Sequence, residues 1–463
     1  METDVLIVGG GIAGLACASR LASRGIENMV LEADDCAGGN VRSDSISGFL
    51  IERGPHTFMP SADDIFDLAR EAGLADAIVA SHPAAKKRFI VRKGKMHKVF
   101  SGPLSFIGSR LLSLRGKFKL MGEPFRTRRR GDPSDNAATF FERRFGPEAA
   151  RVLAGAFISG VYAGDPASLS APAAFSLFWK FEQEHGSMIR GARHHREQRK
   201  AELEARGESE PRPEGLCSFE KGLGQLSATL AEGLADNLRT STAVESVVAR
   251  DGGFEARVGG QVFSARRLVL AVPPHVASRL VTELDTQMSA TLANIPMAPM
   301  AVVHMGHGQA CRQIPDGFGF LAPRGEGVRT LGVLFPSRLF AGRAPQGGDL
   351  LTGFVGGMLD QQALELSDSE LESIVRSDLE RLTGLGADPD LVLVRRYEAA
   401  IPQFTMGHLE RMAAINDRLS RFPGLLLAGN YVRGVGMKDA VSSGFAAAEA
   451  LAGSGSKEQG TRS

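Results

Sequence analysis

A glycine-rich turn near the N-terminus has the residue types and spacing to bind a pyrophosphate. Gly9, Gly11 and Gly14 form the pattern GxGxxG between the apolar run VLIV and the helical pattern IAGLACASRL. Gly9 permits a tight turn, Gly11 lets phosphate oxygens reach the backbone, and Gly14 lets the helix pack closely on the strand. The free N–H groups of Ile12 and Ala13 at the start of the helix favour an anion. The turn therefore predicts a dinucleotide site.

An acidic residue follows this turn at the position where a ribose would be bound. The helical pattern that begins at Ile12 leads into a second apolar run, NMVL, and Glu32 stands at its end. Strand, glycine turn, helix, strand and acidic residue together are the context that the glycine motif needs. We therefore expect Glu32 to accept hydrogen bonds from the ribose hydroxyls of an adenosine.

A second glycine pair distinguishes between NAD and FAD, which the first motif alone does not separate. Gly38, Gly39 and Arg42 follow Glu32 in EADDCAGGNVRS. This run resembles the FAD-binding signature of the glutathione-reductase-like flavoproteins, above all the group of amine oxidases, phytoene desaturases and protoporphyrinogen oxidases. The resemblance implies that the glycines let the chain pass close to the flavin end and that the arginine adds positive charge. No cysteine follows Cys311, so we expect the FAD to be non-covalently bound.

Three other stretches complete the expected cofactor site. Near the C-terminus, LLLAGN is followed by a glycine-rich loop and a helix, whose N-terminus would point at the flavin pyrimidine ring and favour negative charge there. By resemblance, a valine in TAVES pairs its backbone with the adenine, and ERGPH has a histidine where relatives carry asparagine or arginine. We assign that histidine no catalytic role. These stretches add Gly54, Pro55, His56, Val244, Gly429, Asn430, Val435, Gly436 and Met437 to the site.

The rest of the sequence must position this cofactor and supply a substrate site. The chain has 463 residues, which is too long for one compact core, and its net charge of +1 gives no global sign of nucleic-acid binding. Strand-like alternation near 217–275 and β-rich segments near 296–400 follow helical and highly charged stretches. The prediction is an α/β plus α+β protein. It has a discontinuous, glutathione-reductase-like FAD-binding dinucleotide fold, an inserted antiparallel-sheet substrate domain, and a helical membrane-associating or lid domain.

The order of these patterns also predicts domain boundaries. The dinucleotide fold is started by the N-terminus and completed by a middle piece and by the C-terminus, so its parts are separated in the sequence. The predicted segments are FAD-binding at 1–85, 216–295 and 406–452, helical with part of the substrate site at 86–215, antiparallel sheet at 296–405, and a disordered tail at 453–463.

Four further stretches identify the family more closely: GVYAGDP, FEKGLGQL, DGFGFLAPRGE and IPQFTMGHLERM. Together with both ends of the cofactor site, they resemble the oxygen-dependent, FAD-containing protoporphyrinogen oxidase family, within the flavin amine oxidase superfamily, and a bacterial member of it. The resemblance implies oxidation of protoporphyrinogen IX to protoporphyrin IX in haem biosynthesis. Six electrons would leave in three rounds of hydride transfer to the flavin, and oxygen would give hydrogen peroxide. Because the aromatic product supplies driving force, no catalytic side chain is assigned.

A porphyrinogen is a broad apolar disc with carboxylates at one side, so its site needs flat apolar walls and a cation. By resemblance, Arg88 matches an arginine that binds a propionate, and Gly160 matches a backbone carbonyl that faces the pyrroles. Leu321, Leu334 and Phe354 match apolar positions that clamp the rings. These five residues form the predicted substrate site.

Other functions remain alternatives at this stage. Oxidation of coproporphyrinogen III to coproporphyrin III would use almost the same motifs, and Lys86 and Lys87 beside Arg88 would suit its additional carboxylates. Another oxidoreductase of the superfamily, or a membrane-associated flavin-binding scaffold without turnover, is less favoured. His304 and His307 are spaced by three with no third ligand in view, so no metal is expected.

Composition also bears on partners and location. The four cysteines have no metal-ligand spacing, and we expect no signal peptide and no membrane-spanning helix. We predict a cytoplasmic enzyme whose partners are a porphyrinogen and molecular oxygen, not nucleic acid, and a homodimer stays an open option. The basic and apolar stretch from Phe100 to Arg130 is either a peripheral contact with the inner face of the cell membrane or a lid.

Overall fold

The computed structural model of the chain describes residues 1–127, 134–205, 212–250 and 252–459. Its strands fall into two large sheets and two small hairpin-like pairs. In chain order, the strands are β1 Glu2–Val8, β2 Asn28–Leu31, β3 Ser43–Ile46, β4 Phe49–Glu52, β5 Ile78–Ala80, β6 Arg88–Arg92, β7 Lys95–Lys98, β8 Cys217–Phe219, β9 Leu238–Arg239, β10 Ser246–Arg250, β11 Gly253–Val258, β12 Gln261–Leu270, β13 Met297–His307, β14 Gly319–Leu321, β15 Gly332–Leu334, β16 Asp349–Gly356, β17 Leu391–Pro402 and β18 Leu425–Leu427.

Helices connect and cover these strands. In chain order, the α-helices are α1 Ile12–Ala22, α2 Asp63–Glu71, α3 Pro103–Gly108, α4 Leu114–Met121, α5 Ala137–Phe145, α6 Pro147–Ala149, α7 Gly155–Phe157, α8 Ala171–Ala174, α9 Ser176–His185, α10 Met188–Ala205, α11 Gly224–Leu234, α12 Pro274–Leu280, α13 Thr286–Ala293, α14 Pro336–Leu339, α15 Asp368–Thr383, α16 His408–Leu419 and α17 Met437–Gln459. Short 3₁₀ turns lie at Ala75–Ala77, Pro83–Lys86, Glu123–Phe125, Ala235–Asn237 and Gln361–Glu365, and π-helical turns at Ala150–Ala154 and Ile158–Tyr162.

The first large sheet has the order β10-β11-β12-β1-β2-β9, and β18 also pairs with β12. β1 is parallel to β12 and β2, and β12 is parallel to β18. Val5, Leu6 and Ile7 are fully buried, because both faces of a central parallel strand are covered. Helices α1, α2, α11 and α17 pack on one face, and α12, α13 and α16 on the other. This sheet and its helices are called the dinucleotide unit below.

Three separate stretches of the chain contribute strands to the dinucleotide unit. β1 and β2 come from the N-terminal part, β9 to β12 from the middle, and β18 with α17 from the C-terminal part. The tail that was expected to be disordered from residue 453 begins inside α17, which continues to Gln459. Residues 460–463 lie outside the described part of the chain.

The second large sheet has the order β17-β13-β16-β15-β14-β6-β7. It corrects the expected all-antiparallel sheet of residues 296–405 in two respects. The hairpin of β6 and β7 extends the sheet with residues that precede the helices, and β6 runs parallel to β14. The reason is that β6 and β14 are far apart in the sequence, so no hairpin imposes an antiparallel direction on them. Helix α15 packs on one face of this sheet.

The described residues between 99 and 205 are mostly helical and are called the helical segment below; residues 128–133, which include the end of the predicted basic stretch, lie outside the described residues. Its long helix from Pro147 to Tyr162 contains two π-helical turns and ends at Ala163, which has a positive φ of 47°. Such π-turns are often found at functional sites. Arg144 and Glu123 form an ion pair in this segment, and both side chains are fully buried. Among the described residues, no helix combines the length and apolar character that crossing a bilayer requires.

Candidate functional site

The first glycine turn lies between β1 and α1. Gly11 is the last residue before α1, no side chain caps this helix, and Ile12 and Ala13 form its first turn. Their N–H groups therefore have no acceptor within the helix. A Cβ on Gly14 would overlap the carbonyl oxygen of Gly9, whereas a Cβ on Gly11 would meet no atom within 4 Å. Gly14 is thus needed for packing, and Gly11 borders open space in front of free N–H groups.

The second glycine turn contacts the first. The N–H of Gly38 donates to the carbonyl of Gly10 at 2.8 Å, and Gly11 and Gly38 form an isolated parallel bridge. Gly39 continues this turn with a positive φ. A Cβ on Gly54, just after β4, would come within 2.5 Å of the backbone of the same turn. Three stretches that are separate in the sequence therefore meet here.

Glu32 stands at the end of β2 and is tied to the first glycine turn. Its Oε2 accepts a hydrogen bond from the N–H of Gly10 at 2.6 Å, and its Oε1 accepts one from the N–H of Asp34 at 2.9 Å. Each carboxylate oxygen retains a further lone pair for a ligand hydroxyl. Arg42 donates to Asp34 at 3.3 Å and to the sulfur of Cys36 at 2.6 Å, and its buried Nε has no partner among the described residues.

The C-terminal stretch is joined to the first turn of α1 by α17. The N–H of Gly429 donates to the hydroxyl of Ser443 on α17 at 2.7 Å, and Asn430 follows directly. α17 packs so closely on α1 that a Cβ on Gly444 would overlap the carbonyl oxygen of Ala13. The structure thus brings the last strand and the last helix against the N-terminal turn.

The loop that precedes α17 contains the other C-terminal residues of the predicted site. Val435 and Gly436 lead into the helix, which begins at Met437. The N–H of Gly436 donates to Oδ2 of Asp439 at 3.0 Å. Part of the donor capacity at this helix start is therefore already used within the chain.

Val244 lies two residues before β10 and is half-buried. The nearby Thr242 donates its N–H to the carbonyl of Glu32 at 2.8 Å, so this segment lies beside the end of β2. No described residue forms a hydrogen bond with the backbone of Val244. Its backbone groups are consequently available to a ligand.

The apolar residues of the predicted substrate site share one face of the second sheet. Leu321 is opposite Gly332, and Gly332 is opposite Phe354, so these residues form one row across β14, β15 and β16. Leu334 lies two residues beyond Gly332 on β15 and therefore points to the same side. A Cβ on Gly332 would come within 3.1 Å of the Leu321 side chain, so Leu321 packs over this glycine. All three predicted apolar residues are half-buried.

Arg88 and Gly160 border this face from two directions. Arg88 is opposite Gly319, which is opposite Leu334, so the arginine lies in the same row as the predicted clamp. Arg88 is exposed, and its guanidinium lies 5.3 Å from the ring centre of Phe318. A Cβ on Gly160 would overlap the side chain of Leu321. The structure therefore brings the five predicted substrate residues together, although their roles remain predictions.

His56 lies where the dinucleotide unit meets the second sheet. Pro55 precedes it. The imidazole ring of His56 meets the ring of Phe354 edge-on, with ring centres 6.1 Å apart. Both ring nitrogens are buried and have no hydrogen-bond partner among the described residues. Burial, and next the positive charge of Arg343, lower the pKa of His56 to about 4. The imidazole is therefore neutral at physiological pH.

His304 lies behind His56 and is a residue that the sequence reasoning considered only as a metal ligand. It is fully buried, its Nδ1 lies 3.1 Å from the hydroxyl of Thr352, and its Nε2 has no partner among the described residues. Burial, followed by charge on His56 and on Arg395, lowers the pKa of His304 to about 3. Side chains alternate between the two faces of β13, and His304 lies on the same face as Val302. This alternation is the feature of the sequence that could have predicted on which face His304 lies. His56, His304, Thr352 and Phe354 are called the junction cluster below.

Charged residues surround the junction cluster. Asp44 accepts two hydrogen bonds from Arg53, each 2.8 Å long, and one from Arg395 at 2.5 Å. The hydrogen bond from Arg53 is the main reason that the pKa of Asp44 is lowered. Glu52 is buried, which raises its pKa to about 6, and it accepts a hydrogen bond from Ser43. Sequence reasoning missed this network, since its members come from four separate strands and loops.

A separate cavity of about 700 Å³ lies between the helical segment and the second sheet. Phe141, Ala154 and Ile158 are among its apolar walls, and Arg151 and Arg324 are among its cations. None of the predicted cofactor or substrate residues lines it. Among the described residues, no cluster of three or more histidine, cysteine, aspartate or glutamate side chains that could hold a metal ion is found.

Comparisons with known proteins agree with this architecture. A chloroplastic protoporphyrinogen oxidase of Nicotiana tabacum is 35% identical over 98% of this chain and 86% of its own length. A coproporphyrinogen III oxidase of Bacillus subtilis is 26% identical over 96% of this chain and 97% of its own length. A crystal structure of a protein from Exiguobacterium sp. 255-15 has the same fold, with a TM-score of 0.81 at 24% identity, and covers 97% of this chain and 98% of that one.

The family model described as flavin containing amine oxidoreductase matches residues 12–452. This match spans helix α1, the second glycine turn, the second sheet and the start of α17, and it is accompanied by relatives above 30% identity along nearly the whole chain. The fold, the adjoining glycine turns and these matches lead to one conclusion: the chain belongs to the family of flavin containing amine oxidoreductases.

Proposed function

We propose that this chain is an FAD-dependent oxidase that converts protoporphyrinogen IX to protoporphyrin IX in haem biosynthesis. The relatives named for this reaction at 35% and 34% identity support the substrate class. The observation that carries the proposal is the strand register that places Arg88 in the row of Leu334, with the row of Leu321 and Phe354 beside it. Apolar walls with a cation at one side suit a disc that bears propionates.

The residues of the dinucleotide unit fit FAD. Open space at Gly11, spare lone pairs on Glu32 and the unused backbone of Val244 suit pyrophosphate, ribose and adenine. The FAD would be held non-covalently by the two glycine turns, residues 54–56 and the loop before α17. When bound, it supplies the two-electron oxidant for each of the three rounds and is restored by oxygen.

The protein's own residues bind and orient the substrate. Leu321, Leu334 and Phe354 would pack on the rings, and Arg88 would pair with a propionate at the open side. The carbonyl of Gly160 would accept a pyrrole N–H, because the close approach of Gly160 to Leu321 brings this backbone to the edge of the apolar face. The junction cluster closes the end nearest the glycine turns.

The test supplies the purified, flavin-loaded protein with protoporphyrinogen IX and follows porphyrin fluorescence, oxygen uptake and hydrogen peroxide together. We expect three molecules of oxygen to be consumed and three of hydrogen peroxide formed per porphyrin. Since porphyrinogens oxidise spontaneously, reactions without protein provide the baseline. A flavin-loaded protein that does not raise the rate above this baseline with any porphyrinogen would contradict the proposal.

Coproporphyrinogen III is the second candidate substrate. The bacterial relatives with that name are 26% and 25% identical along nearly the whole chain. Exposed Lys86 and Lys87 adjoin Arg88 and could pair with further carboxylates. Comparing kcat/KM for the two porphyrinogens decides between them, and a coproporphyrinogen preference should weaken in the variant with Lys86→Ala and Lys87→Ala.

We also propose that the helical segment makes the peripheral membrane contact of a cytoplasmic enzyme. Leu104 and Phe125 are 87% and 85% exposed, and Ile107, Leu114 and Phe118 are exposed as well. Arg110, Arg115 and Lys119 stand among them in the sequence. Several exposed apolar side chains with cations among them in the sequence suit the anionic inner face of a membrane. A homodimer would bury part of the same surface. Measurements of vesicle binding and of the oligomeric state distinguish a membrane contact from a dimer interface.

A further inference from the structure

We infer that His56 accepts the proton that a pyrrole nitrogen of the substrate loses when hydride leaves the neighbouring bridge carbon. This catalytic role of His56 rests on the proposed function, and it was not predicted from the sequence.

Three buried ring nitrogens in this cluster have no partner among the described residues: both nitrogens of His56 and Nε2 of His304. Buried polar atoms in folded proteins are nearly always hydrogen-bonded, so each exception calls for a missing ligand or water. A neutral imidazole has one donor and one acceptor nitrogen. His56 therefore offers an unused acceptor in a place that the chain itself does not fill.

His56 lies between the predicted cofactor site and the predicted substrate face. It lies two residues after Gly54, which packs against the second glycine turn, and its ring contacts the ring of Phe354 in the predicted apolar clamp. The predicted substrate face continues from Phe354 through Gly332 to Leu321 in one row. A ring seated on this face would have its edge directed toward His56.

The surrounding charges keep the acceptor nitrogen free of a proton. Arg343 faces His56, and its guanidinium is fixed by donation to Ser218 at 2.9 Å and to the carbonyl of Phe219 at 2.8 Å. The other charged groups that adjoin the cluster are Arg395, Arg53, Asp44 and Glu52, and the guanidiniums outnumber the carboxylates.

The proposed step balances atoms and electrons. The C–H bond of a bridge carbon breaks, and its hydrogen leaves with the electron pair as hydride, for which bound flavin would be the acceptor. In the same step a pyrrole N–H bond breaks, its proton goes to a ring nitrogen of His56, and its electron pair stays on the pyrrole nitrogen as a lone pair. The departing hydride makes that nitrogen cationic and acidic, so a weak base suffices. The product lacks four bridge hydrogens and two N–H hydrogens, so this step occurs in two of the three rounds, and the third proton comes from the last bridge carbon. The proton is later consumed when oxygen becomes hydrogen peroxide.

The test uses the flavin-loaded protein with His56→Gln, which keeps a hydrogen-bonding group but takes up no proton. We expect porphyrin binding, measured by fluorescence titration, to stay within about twofold of the unsubstituted protein, and anaerobic bleaching of the flavin by porphyrinogen to slow about 100-fold. The unsubstituted rate should fall as the pH approaches 4, where His56 is protonated, and the variant should lose this limb.

A second variant tests whether the role of His56 is only structural. In His56→Ala, added imidazole should restore the bleaching rate, which a loss of packing would not allow. His307→Gln is the matched control, because His307 is also buried in β13 and adjoins Asp349 rather than the junction cluster. Its bleaching rate should equal that of the unsubstituted protein.

Two outcomes would overturn the inference while leaving the proposed function intact: a normal bleaching rate with an unchanged pH profile in His56→Gln, or no imidazole rescue in a folded, flavin-loaded His56→Ala. Failure of the unsubstituted protein to oxidise any porphyrinogen would instead reject the proposed function. The two failures are therefore distinguishable.

Discussion

The dinucleotide unit and the helical segment differ in what they bury and in what they expose. In the dinucleotide unit, apolar side chains such as Val5 and Ile7 are fully buried, and what faces outward at the ligand site is glycine backbone. In the helical segment, Arg144 and Glu123 are among the most buried side chains, while Leu104 and Phe125 are almost fully exposed. The first unit buries its apolar surface by itself. The second also buries apolar side chains, but it holds an ion pair inside and exposes large apolar side chains.

The largest effect that would test this contrast is expected at Glu123. Its carboxylate accepts hydrogen bonds from Arg144 and from Ser187, the latter at 2.6 Å. Glu123→Leu removes the shorter of the two ion pairs of the buried guanidinium and leaves only Glu182, at 3.4 Å, which should lower the free energy of unfolding by about 3–5 kcal/mol. Thermal and urea unfolding measure this loss. Glu142→Leu, at an exposed position of α5, should change stability by less than about 0.5 kcal/mol.

The same residue predicts a pH dependence. Burial raises the pKa of Glu123, but hydrogen bonds from Ser187, Arg144 and the N–H of Met188 outweigh it, so the pKa lies below its ordinary value of 4.5. The stabilisation is therefore fully present above pH 4.5 and is lost as the pH falls through the lowered pKa. The free energy of unfolding of the unsubstituted chain should fall as the pH drops below 4.5, and that of Glu123→Leu should fall less steeply. Equal slopes would mean that Glu123 does not support the segment.

The second prediction concerns two glycines of the dinucleotide unit that differ in surroundings. Gly14→Ala places a Cβ against the carbonyl oxygen of Gly9, so the free energy of unfolding should fall by about 1–3 kcal/mol and flavin should be lost. Gly11→Ala meets no protein atom within 4 Å, so the flavin-free protein should keep its stability and lose only flavin affinity. Unfolding without flavin and flavin titration measure the two effects. Equal destabilisation by both changes would contradict this distinction.

The third prediction tests the exposed apolar surface of the helical segment. Phe125→Ser removes a large exposed side chain, so binding to vesicles that contain anionic lipid should weaken about tenfold while the unfolding temperature stays unchanged. A sedimentation assay with such vesicles measures the affinity. Val262→Ser, an exposed apolar position on β12, is the control and should bind normally. If both variants bind alike, the surface is not the membrane contact.

The smallest effect is expected for the cations near the substrate. Arg88→Ala should raise KM for the porphyrinogen about fivefold with little change in kcat, since an exposed ion pair contributes about 1 kcal/mol. Arg324→Ala, in the cavity beside the helical segment, should leave KM unchanged. Steady-state kinetics compare the two. A larger effect at Arg324 would place the carboxylates in that cavity instead.

The N-terminal glycine turn, its helix and Glu32 were predictable from the sequence because their geometry depends on residues within one strand–helix–strand unit. Glycine spacing, a helix start and an acidic strand end are local properties of the backbone. The family resemblance added the C-terminal stretch, which has no strong local pattern of its own.

Only the tertiary structure decided which residues became neighbours on the second sheet. The parallel pairing of β6 with β14 brings Arg88 into the row of Leu334, and the register of β13 with β16 places His304 beside Thr352 near His56. Strand register depends on contacts between distant parts of the chain, and a shift by one residue would turn each of these side chains to the other face. Composition and spacing thus determined the cofactor turn, whereas long-range pairing determined the substrate face and the buried histidines.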